Sequence, residues 1–237
     1  MVFQHGFMSG ASYWRKQIDH FSGTHDVIAT NLPGYAENRD DPVDKIEGFV
    51  EFLLSLMDKL KVSEFSLVGH SMGGMIAQEF AIQHPDRLDK LVLYATGPDG
   101  SMPGRFESIS ASRDRILLEG REQTLRNTVS SWFLNEEADA NFQKGMALAE
   151  STSLDTMMAG YTAMENWQSV DRLKQIKNDT LILWGDGDRS YRWPHPAALW
   201  NRVESANLSV VASCAHNVHL EKPSLFNAIL GDFLKSK

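Results

Sequence analysis

The stretch FSLVGHSMGG at residues 65–74 combines three local patterns in one run. Its first four residues are largely apolar and are typical of a buried strand. The Gly-x-Ser-x-Gly pattern centred on Ser71 follows, and residues 75–81 continue as a helical pattern. A strand, a sharp turn and a helix are the setting in which a serine presents its hydroxyl above a sheet. Because the strand and the helix converge there, the turn needs small residues such as Gly69 and Gly73.

The composition indicates an ordinary globular protein. The chain has 237 residues, of which 42% are hydrophobic and 23% charged, and this length suits one large α/β domain with an insertion. A formal net charge of −8 argues against a nucleic-acid partner, which would require a basic face. The single cysteine, Cys214, excludes an internal disulfide and fits a reducing compartment. The chain has no apolar run of about 20 residues and no secretory leader, so we expect a cytoplasmic protein without a membrane span.

Strands and helices alternate along the first part of the chain and again near its end. Apolar runs predict six strands, at residues 2–4, 26–31, 65–68, 91–95, 180–184 and 208–211. Helical spacing predicts helices at residues 12–21, 43–60, 72–83, 197–203 and 223–234. This alternation is typical of a mostly parallel sheet with helices on both faces, so the predicted class is α/β.

The alternation stops after Gly97 for roughly 80 residues, which is far longer than an ordinary connection. Most of this segment, from residue 105 to residue 173, has a helical pattern. We therefore predict a core of residues 1–97 and 180–237, interrupted by a helical cap at residues 98–179.

Two more chemical groups follow strands of the predicted sheet. The strand at residues 181–184 runs into Asp186 and Asp188, and the strand at residues 208–211 is followed by His216. Ligands bind at the carboxyl ends of parallel strands. A serine hydroxyl there needs a base to take its proton and an acid to orient that base. The chain offers serine, aspartate and histidine in that order, each just after its own strand.

With these motifs in place, the sequence resembles the esterase- and lipase-like branch of the α/β-hydrolase superfamily over essentially the whole chain. The matching segments are the oxyanion loop at His5-Gly6-Phe7, the serine turn at 69–74, the acid loop at 183–188 and the histidine loop at 214–223. The resemblance implies that Ser71 is the nucleophile, His216 the general base and Asp188 the carboxylate that orients it.

The resemblance also implies an oxyanion hole made of the backbone N–H groups of Phe7 and Met72. Trp193, just after the acid loop, is expected to border the substrate pocket, with His5 and His219 as further pocket candidates. No metal or organic cofactor is expected, since the histidines lack a ligand spacing such as His-Glu-x-x-His.

Other residues compete for two of these roles. Asp186 or Asp99 could be the acid instead of Asp188, although the family's acid follows the glycine by three positions, as Asp188 does. His219 could replace His216 as the base, although His219 lies nearer the final helix.

The predicted reaction is hydrolysis of a small-molecule carboxylic ester through an acyl-enzyme. Relatives that hydrolyse carbon–carbon bonds of aromatic ring-cleavage products usually have asparagine before the serine and tryptophan after the histidine. This chain has His70 and Asn217 at those positions. Carbon–carbon hydrolysis, lactone hydrolysis and cofactor-free perhydrolysis stay as alternatives, and a ligand receptor that retains the triad is a non-enzymatic one.

The chain begins directly at the strand before His5, so the usual first two strands of this fold are expected to be absent. An uncovered sheet edge pairs readily with another chain. A homodimer is therefore a further hypothesis.

Overall fold

The structure is a computed structural model that describes residues 1–38 and 40–236. The strands are β1 (Val2–Gln4), β2 (Ile28–Thr30), β3 (Phe65–His70), β4 (Leu88–Tyr94), β5 (Asp179–Gly185) and β6 (Ala206–Val211). The helices are α1 (Arg15–Phe21), α2 (Ile46–Lys59), α3 (Met72–Gln83), α4 (Ile109–Glu119), α5 (Arg121–Ser131), α6 (Phe142–Ser151), α7 (Leu154–Glu165), α8 (Pro194–Arg202), α9 (Val218–Glu221) and α10 (Pro223–Lys235). Within the described residues, none of these helices has the length and apolar character that crossing a membrane requires.

The strands form one six-stranded parallel sheet in the order β2-β1-β3-β4-β5-β6, which confirms the predicted α/β class. β1 lies between β2 and β3, with Val2 opposite Ile28 on one side and Leu67 on the other. Because all strands run the same way, their carboxyl ends meet at one edge of the sheet. The loops that carry the serine, aspartate and histidine motifs therefore come together at that edge.

Helices cover both faces of the sheet, as the alternation of side chains along each strand requires. Val2 and Leu67 belong to one core cluster, together with Phe49 of α2. Their neighbours Phe3 and Val68 point to the other face and belong to a second cluster. That second cluster includes aromatic residues of α1, α10 and the turn before α1, namely Trp14, Phe21 and Phe226.

Several boundaries differ from the sequence-based prediction by a few residues. The helix predicted at 12–21 is a single 3-10 turn, Ala11–Trp14, followed by α1. Helix α8 begins at Pro194, three residues before the predicted start, because the fixed φ of proline suits the first turn of a helix. The strand predicted at 26–31 is shorter, and β2 lies at one edge of the sheet.

Helices α4 to α7 lie between β4 and β5 and occupy the segment predicted to be a cap. An antiparallel bridge between Asp99 and Gln168 joins the two ends of this segment. Many of its apolar side chains are buried, among them Ile116, Leu125, Phe133, Met157 and Tyr161. We call residues 98–179 the cap. That the cap is a domain of its own stays a prediction.

Three buried histidines brace the loops at the carboxyl edge of the sheet. The His5 ring lies 2.7 Å through Nδ1 from the Gly6 carbonyl oxygen, and its Nε2 accepts the Leu32 N–H at 3.0 Å. Burial lowers the pKa of His5 to about 4. Burial also holds the pKa values of His70 and His219 well below the ordinary value. All three rings are therefore neutral in the folded protein near pH 7.

We expect Gly73→Ala to lower the free energy of unfolding by about 1–3 kcal/mol, as overpacking usually does. A Cβ atom at Gly73 would lie 2.5 Å from the carbonyl oxygen of Gln4 and 2.6 Å from that of His5. Both contacts are with backbone, so β1 or α3 would have to move. Urea denaturation measures the loss. Gly23→Ala is the control, since its Cβ would meet no atom within 4 Å, and equal losses in both variants would contradict the prediction.

The buried histidines should make the fold sensitive to acid. Because the folded-state pKa values of these histidines are lowered, the unfolded chain binds protons below about pH 6.5 that the folded chain does not bind. The contribution of each neutral histidine to the free energy of unfolding is present above that pH. It is lost as the pH falls toward the folded-state pKa of that histidine. For His5, whose folded-state pKa is about 4, the expected loss is roughly 2 kcal/mol between pH 6.5 and 5.

His5→Gln should therefore reduce the loss of unfolding free energy between pH 7 and pH 5 by about that amount. Urea denaturation at both pH values measures it. His25→Gln is the matched control, because His25 is exposed. If His5→Gln kept the wild-type pH dependence, the assignment of His5 as an acid-sensitive contact would be wrong.

Candidate active site

Ser71 lies on a sharp turn between β3 and α3. Its backbone has φ 57° and ψ −120°, a conformation that costs a residue with a side chain about 1–3 kcal/mol. Two hydrogen bonds hold the turn. The Ser71 N–H donates to the Tyr94 carbonyl at 3.0 Å, and the Thr96 hydroxyl donates to the Ser71 carbonyl at 2.8 Å. Ser71 directly precedes the first residue of α3. It therefore lies at the end of the helix where the dipole favours negative charge.

The loop after β1 packs directly against Ser71. A Cβ atom at Gly6 would lie 2.7 Å from Cβ of Ser71 and 3.3 Å from its Oγ, so a side chain at Gly6 would prevent this approach. The N–H groups of Phe7 and Met72 have no hydrogen-bond acceptor among residues 1–38 and 40–236. Phe7 lines a cavity with Ser71, and Met72 is its neighbour in sequence. Two unpaired donors are therefore available beside the serine.

Asp188 and His216 are brought together by the loops that follow β5 and β6. Nδ1 of His216 lies 2.9 Å from Oδ2 of Asp188, and both side chains are buried. The other carboxylate oxygen, Oδ1, accepts the N–H groups of Ser190 at 2.7 Å and Tyr191 at 3.1 Å. A carboxylate oxygen accepts hydrogen bonds, so this contact suits the tautomer of His216 that carries its proton on Nδ1.

The competing residues lie elsewhere. Asp186 is exposed, whereas Asp188 is buried. Asp99 accepts the Ser101 N–H at 2.7 Å within its own turn. The ring of His219 is buried beneath the cavity rather than among the residues that line it.

Aromatic rings surround the imidazole of His216. The Tyr191 ring is stacked on it with centroids 5.8 Å apart and an interplanar angle of 19°, and the Trp132 ring lies at 6.2 Å. The backbone carbonyl of His216 accepts the Tyr94 hydroxyl at 3.0 Å and lies 3.1 Å from Nε2 of His70. The ring is thus positioned by the sheet on one side and by the cap, through Trp132, on the other.

The cap is also tied to the histidine loop by hydrogen bonds. The Asn217 N–H donates to the Trp132 carbonyl at 3.2 Å. The Leu134 N–H donates to Oε1 of Glu221 at 2.7 Å. These bonds hold residues 132–134 of the cap over the loop that carries His216.

Ser71 opens onto two cavity compartments. The inner compartment contains both Ser71 and His216, and its lining consists of Gly6, Phe7, Ser9, Tyr13, His70, Ser71, Trp132, His216 and Asn217. The outer compartment extends under the cap, and its lining consists of Phe7, Ser71, Arg105, Phe106, Ser112, Thr128, Trp132, Tyr161, Met164 and Ser190.

Three predicted pocket residues are not among the described residues that line these compartments. The Trp193 side chain is 45% exposed and contacts Trp184, with ring centroids 5.7 Å apart. His5 braces the oxyanion loop, and His219 lies against Trp14 at 4.4 Å between centroids. Their predicted place in a substrate pocket lacks support in the geometry.

Sequence reasoning missed the cap residues of the outer compartment, which include Arg105, Thr128 and Tyr161. No motif marks them, because the helical spacing of the cap is the same for residues that face its own core and those that face the cavity. The only available signal was the position of the whole segment, between the strand that follows the serine helix and the strand that leads to Asp188.

Comparison with known proteins agrees with this geometry. A family model described as the alpha/beta hydrolase fold matches residues 1–223. A 2-hydroxy-6-oxo-6-phenylhexa-2,4-dienoate hydrolase of Comamonas testosteroni is 28% identical over 253 residues, with 100% of this chain and 88% of the relative covered. A 2-hydroxy-6-oxononadienedioate/2-hydroxy-6-oxononatrienedioate hydrolase of Paraburkholderia phymatum is 30% identical, with 99% of this chain and 86% of the relative covered.

Among solved structures, an esterase from Exiguobacterium antarcticum superimposes with a TM-score of 0.91 at 20% identity, covering 99% of this chain and 91% of that one. This likeness concerns the fold. The parallel sheet, the serine turn and the family match over residues 1–223 lead to one assignment. The chain belongs to the α/β-hydrolase fold family and is a hydrolase.

Proposed function

We propose that this hydrolase uses Ser71 as nucleophile, His216 as general base and Asp188 as the carboxylate that orients the base. The observation that carries the proposal is the 2.9 Å contact between His216 Nδ1 and Asp188 Oδ2, beside a cavity that contains both Ser71 and His216. A hydrogen-bonded acid–base pair next to a serine is the arrangement that activates a hydroxyl for attack.

Each group then has a defined step. Oγ of Ser71 attacks the substrate carbonyl while its proton passes to Nε2 of His216. The resulting oxyanion accepts hydrogen bonds from the N–H groups of Phe7 and Met72, and losing one such donor typically slows turnover about 100- to 1,000-fold. His216 returns the proton to the leaving group. A water activated by His216 finally releases the acyl group from Ser71.

For the bond that is broken, we propose the carbon–carbon bond beside the ketone of a 2-hydroxy-6-oxodienoate. This reverses the order of the sequence-based prediction, which placed esters first. Its support is that relatives named as hydrolases of such compounds align with 99–100% of this chain, including every loop that forms the site.

The chemistry of such a substrate suits a serine hydrolase. Attack of Ser71 on the ketone gives a tetrahedral adduct, and its collapse forms the acyl-enzyme and expels the adjacent carbon with its electron pair. Delocalisation of that pair requires the substrate to react as its 2-oxo tautomer, in which the 2-hydroxyl proton has moved to the carbon beside the ketone. The pair is then delocalised as a dienolate onto the 2-oxygen, and the proton held by His216 neutralises the departing fragment. Addition of water yields one carboxylic acid from the acyl part and one hydroxydienoate.

Hydrolysis of a carboxylic ester is the second candidate, and His70 and Asn217 favour it. They occupy the two positions at which carbon–carbon hydrolases usually have asparagine and tryptophan. Both residues line the inner compartment beside Ser71. The pocket next to the nucleophile therefore differs from that pattern where it contacts substrate.

Ser71→Ala should abolish turnover, and Asp188→Asn should lower kcat roughly 1,000- to 10,000-fold because the base loses its orienting charge. The rate of p-nitrophenyl butyrate hydrolysis and labelling of the protein by an organophosphonate measure these effects. Asp186→Asn is the matched control and should retain turnover, since Asp186 is exposed. A fully active Ser71→Ala variant would refute the assignment of the nucleophile.

The choice between the two substrates is tested with both on the same enzyme. We expect kcat/KM for 2-hydroxy-6-oxo-6-phenylhexa-2,4-dienoate to exceed that for p-nitrophenyl butyrate by at least about tenfold, a difference of about 1.4 kcal/mol in transition-state binding. Loss of the dienoate absorbance and release of p-nitrophenolate are the two readouts. The reverse ranking would favour the ester, and Ser71→Ala is the blank for both reactions.

A further inference from the structure

The outer compartment contains an unusual number of buried polar atoms without partners. Within residues 1–38 and 40–236, hydrogen-bond partners are missing for five such atoms on four residues that line it. These atoms are Nε and Nη1 of Arg105, Oγ1 of Thr128, the hydroxyl of Tyr161 and Oγ of Ser190. Buried polar groups are ordinarily paired, and each unpaired one is costly. A cluster of them beside a nucleophile indicates a place where a ligand supplies the partners.

The charge in this cluster is that of Arg105, and it lacks a counterion. In the part of the chain that the structure describes, no carboxylate oxygen lies within 4.0 Å of its guanidinium. Glu107, two residues further on, is engaged by Arg115 and by the Ser112 hydroxyl. Arg105 as a residue is half-buried, and two of its guanidinium nitrogens, Nε and Nη1, are buried without a partner among the described residues. Desolvation of a charge without an anion is unfavourable, and the fork of N–H donors matches a carboxylate.

The guanidinium is held by an aromatic ring that also contacts the base. The carbon at the centre of the Arg105 guanidinium lies 4.8 Å from the Tyr191 ring centroid, and that ring is stacked on His216. The Tyr191 and Ser190 N–H groups both bind Asp188. Arg105 therefore packs on residues 190–191, the segment that also contacts His216 and Asp188. This packing fixes the position of its guanidinium relative to the proposed acid–base pair.

The neutral members of the cluster can complete such a site. Burial raises the pKa of Tyr161 to about 12, so its hydroxyl keeps its proton and can donate it in a hydrogen bond. Thr128 and Ser190 also carry hydroxyl donors. All three hydroxyls line the same compartment as Arg105 and are donors without a partner there within residues 1–38 and 40–236.

We propose that Arg105, with Ser190, Thr128 and Tyr161, binds a carboxylate at the end of the substrate remote from the scissile carbonyl. The inference rests on the proposed role of Ser71 as nucleophile, and it holds whether the bond that breaks is carbon–carbon or ester. It makes Arg105 a specificity-determining residue: the substrate class is a carbonyl compound that carries a carboxylate of its own, apart from the bond that breaks.

The test compares two esters that differ in that charge, mono-4-nitrophenyl glutarate and 4-nitrophenyl pentanoate. The wild-type enzyme should have the higher kcat/KM for the glutarate ester. Arg105→Gln should lower the glutarate/pentanoate ratio of kcat/KM roughly 10- to 100-fold, the usual effect of removing a charged hydrogen bond. Arg105→Lys, which retains the charge without the fork of donors, should lower it less.

Arg192→Gln is the matched control, since it removes one positive charge from an exposed position in the loop between β5 and α8. The ratio should stay within about twofold of wild type, because exposed charges are screened by solvent and salt. An equal fall of kcat/KM for both esters in Arg105→Gln would overturn the inference and leave Arg105 as packing for Tyr191.

Binding without turnover separates this inference from the proposed function. Isothermal titration calorimetry measures the Kd of mono-4-nitrophenyl glutarate for two inactive variants, Ser71→Ala and Ser71→Ala/Arg105→Gln. The Kd should be about 10- to 100-fold lower for Ser71→Ala than for the double variant. Equal Kd values would overturn the carboxylate site even if Ser71 proved catalytic. Conversely, an Arg105-dependent Kd in a protein that hydrolyses neither these esters nor 2-hydroxy-6-oxo-6-phenylhexa-2,4-dienoate would retain the anion site and refute the proposed function.

Discussion

The active site depends on how closely β1, β3 and α3 approach one another around Ser71. A Cβ atom at Gly69 would lie 2.3 Å from the Gly73 carbonyl oxygen, and one at Gly73 would lie 2.5 Å from the Gln4 carbonyl oxygen. No side chain fits between these backbones. The contact forces the chain to reverse within one residue, and Ser71 takes the strained conformation that results. The same close approach brings Gly6 against Ser71, so the positions of the proposed nucleophile and of the proposed oxyanion loop share one cause.

His216, the proposed base, is positioned from two directions, and this links the proposed chemistry to the cap. The loops after β5 and β6 bring Asp188 to His216, while Trp132 of the cap lies against the imidazole from above. Tyr191 connects the two regions, since its ring contacts both His216 and Arg105. A substrate that bound Arg105 would therefore lie under the cap, with its charge recognised in one compartment and its carbonyl attacked in the other.

The sequence indicated that Ser71, Asp188 and His216 would lie near one another, because each of them follows directly from a strand. Strand order along the chain and the parallel direction together require Ser71, Asp188 and His216 to share one edge. Spacing from Gly185 favoured Asp188 over Asp186, and in the structure Asp188 is the one that contacts His216. Trp193 was expected at the pocket because it follows the acid loop, yet proximity in sequence did not bring its ring to the cavity.

The sequence by itself determined the α/β class, the serine turn and the meeting of Asp188 with His216, because these follow from local patterns repeated at strand ends. Only the tertiary structure decided which cap residues face Ser71, since helical spacing does not show which side of a cap helix meets the core. The unpaired guanidinium of Arg105 is the clearest case. From the sequence alone, an arginine in a loop is expected to be solvated, and only the fold shows that two of its guanidinium nitrogens are buried in a compartment that Ser71 also lines.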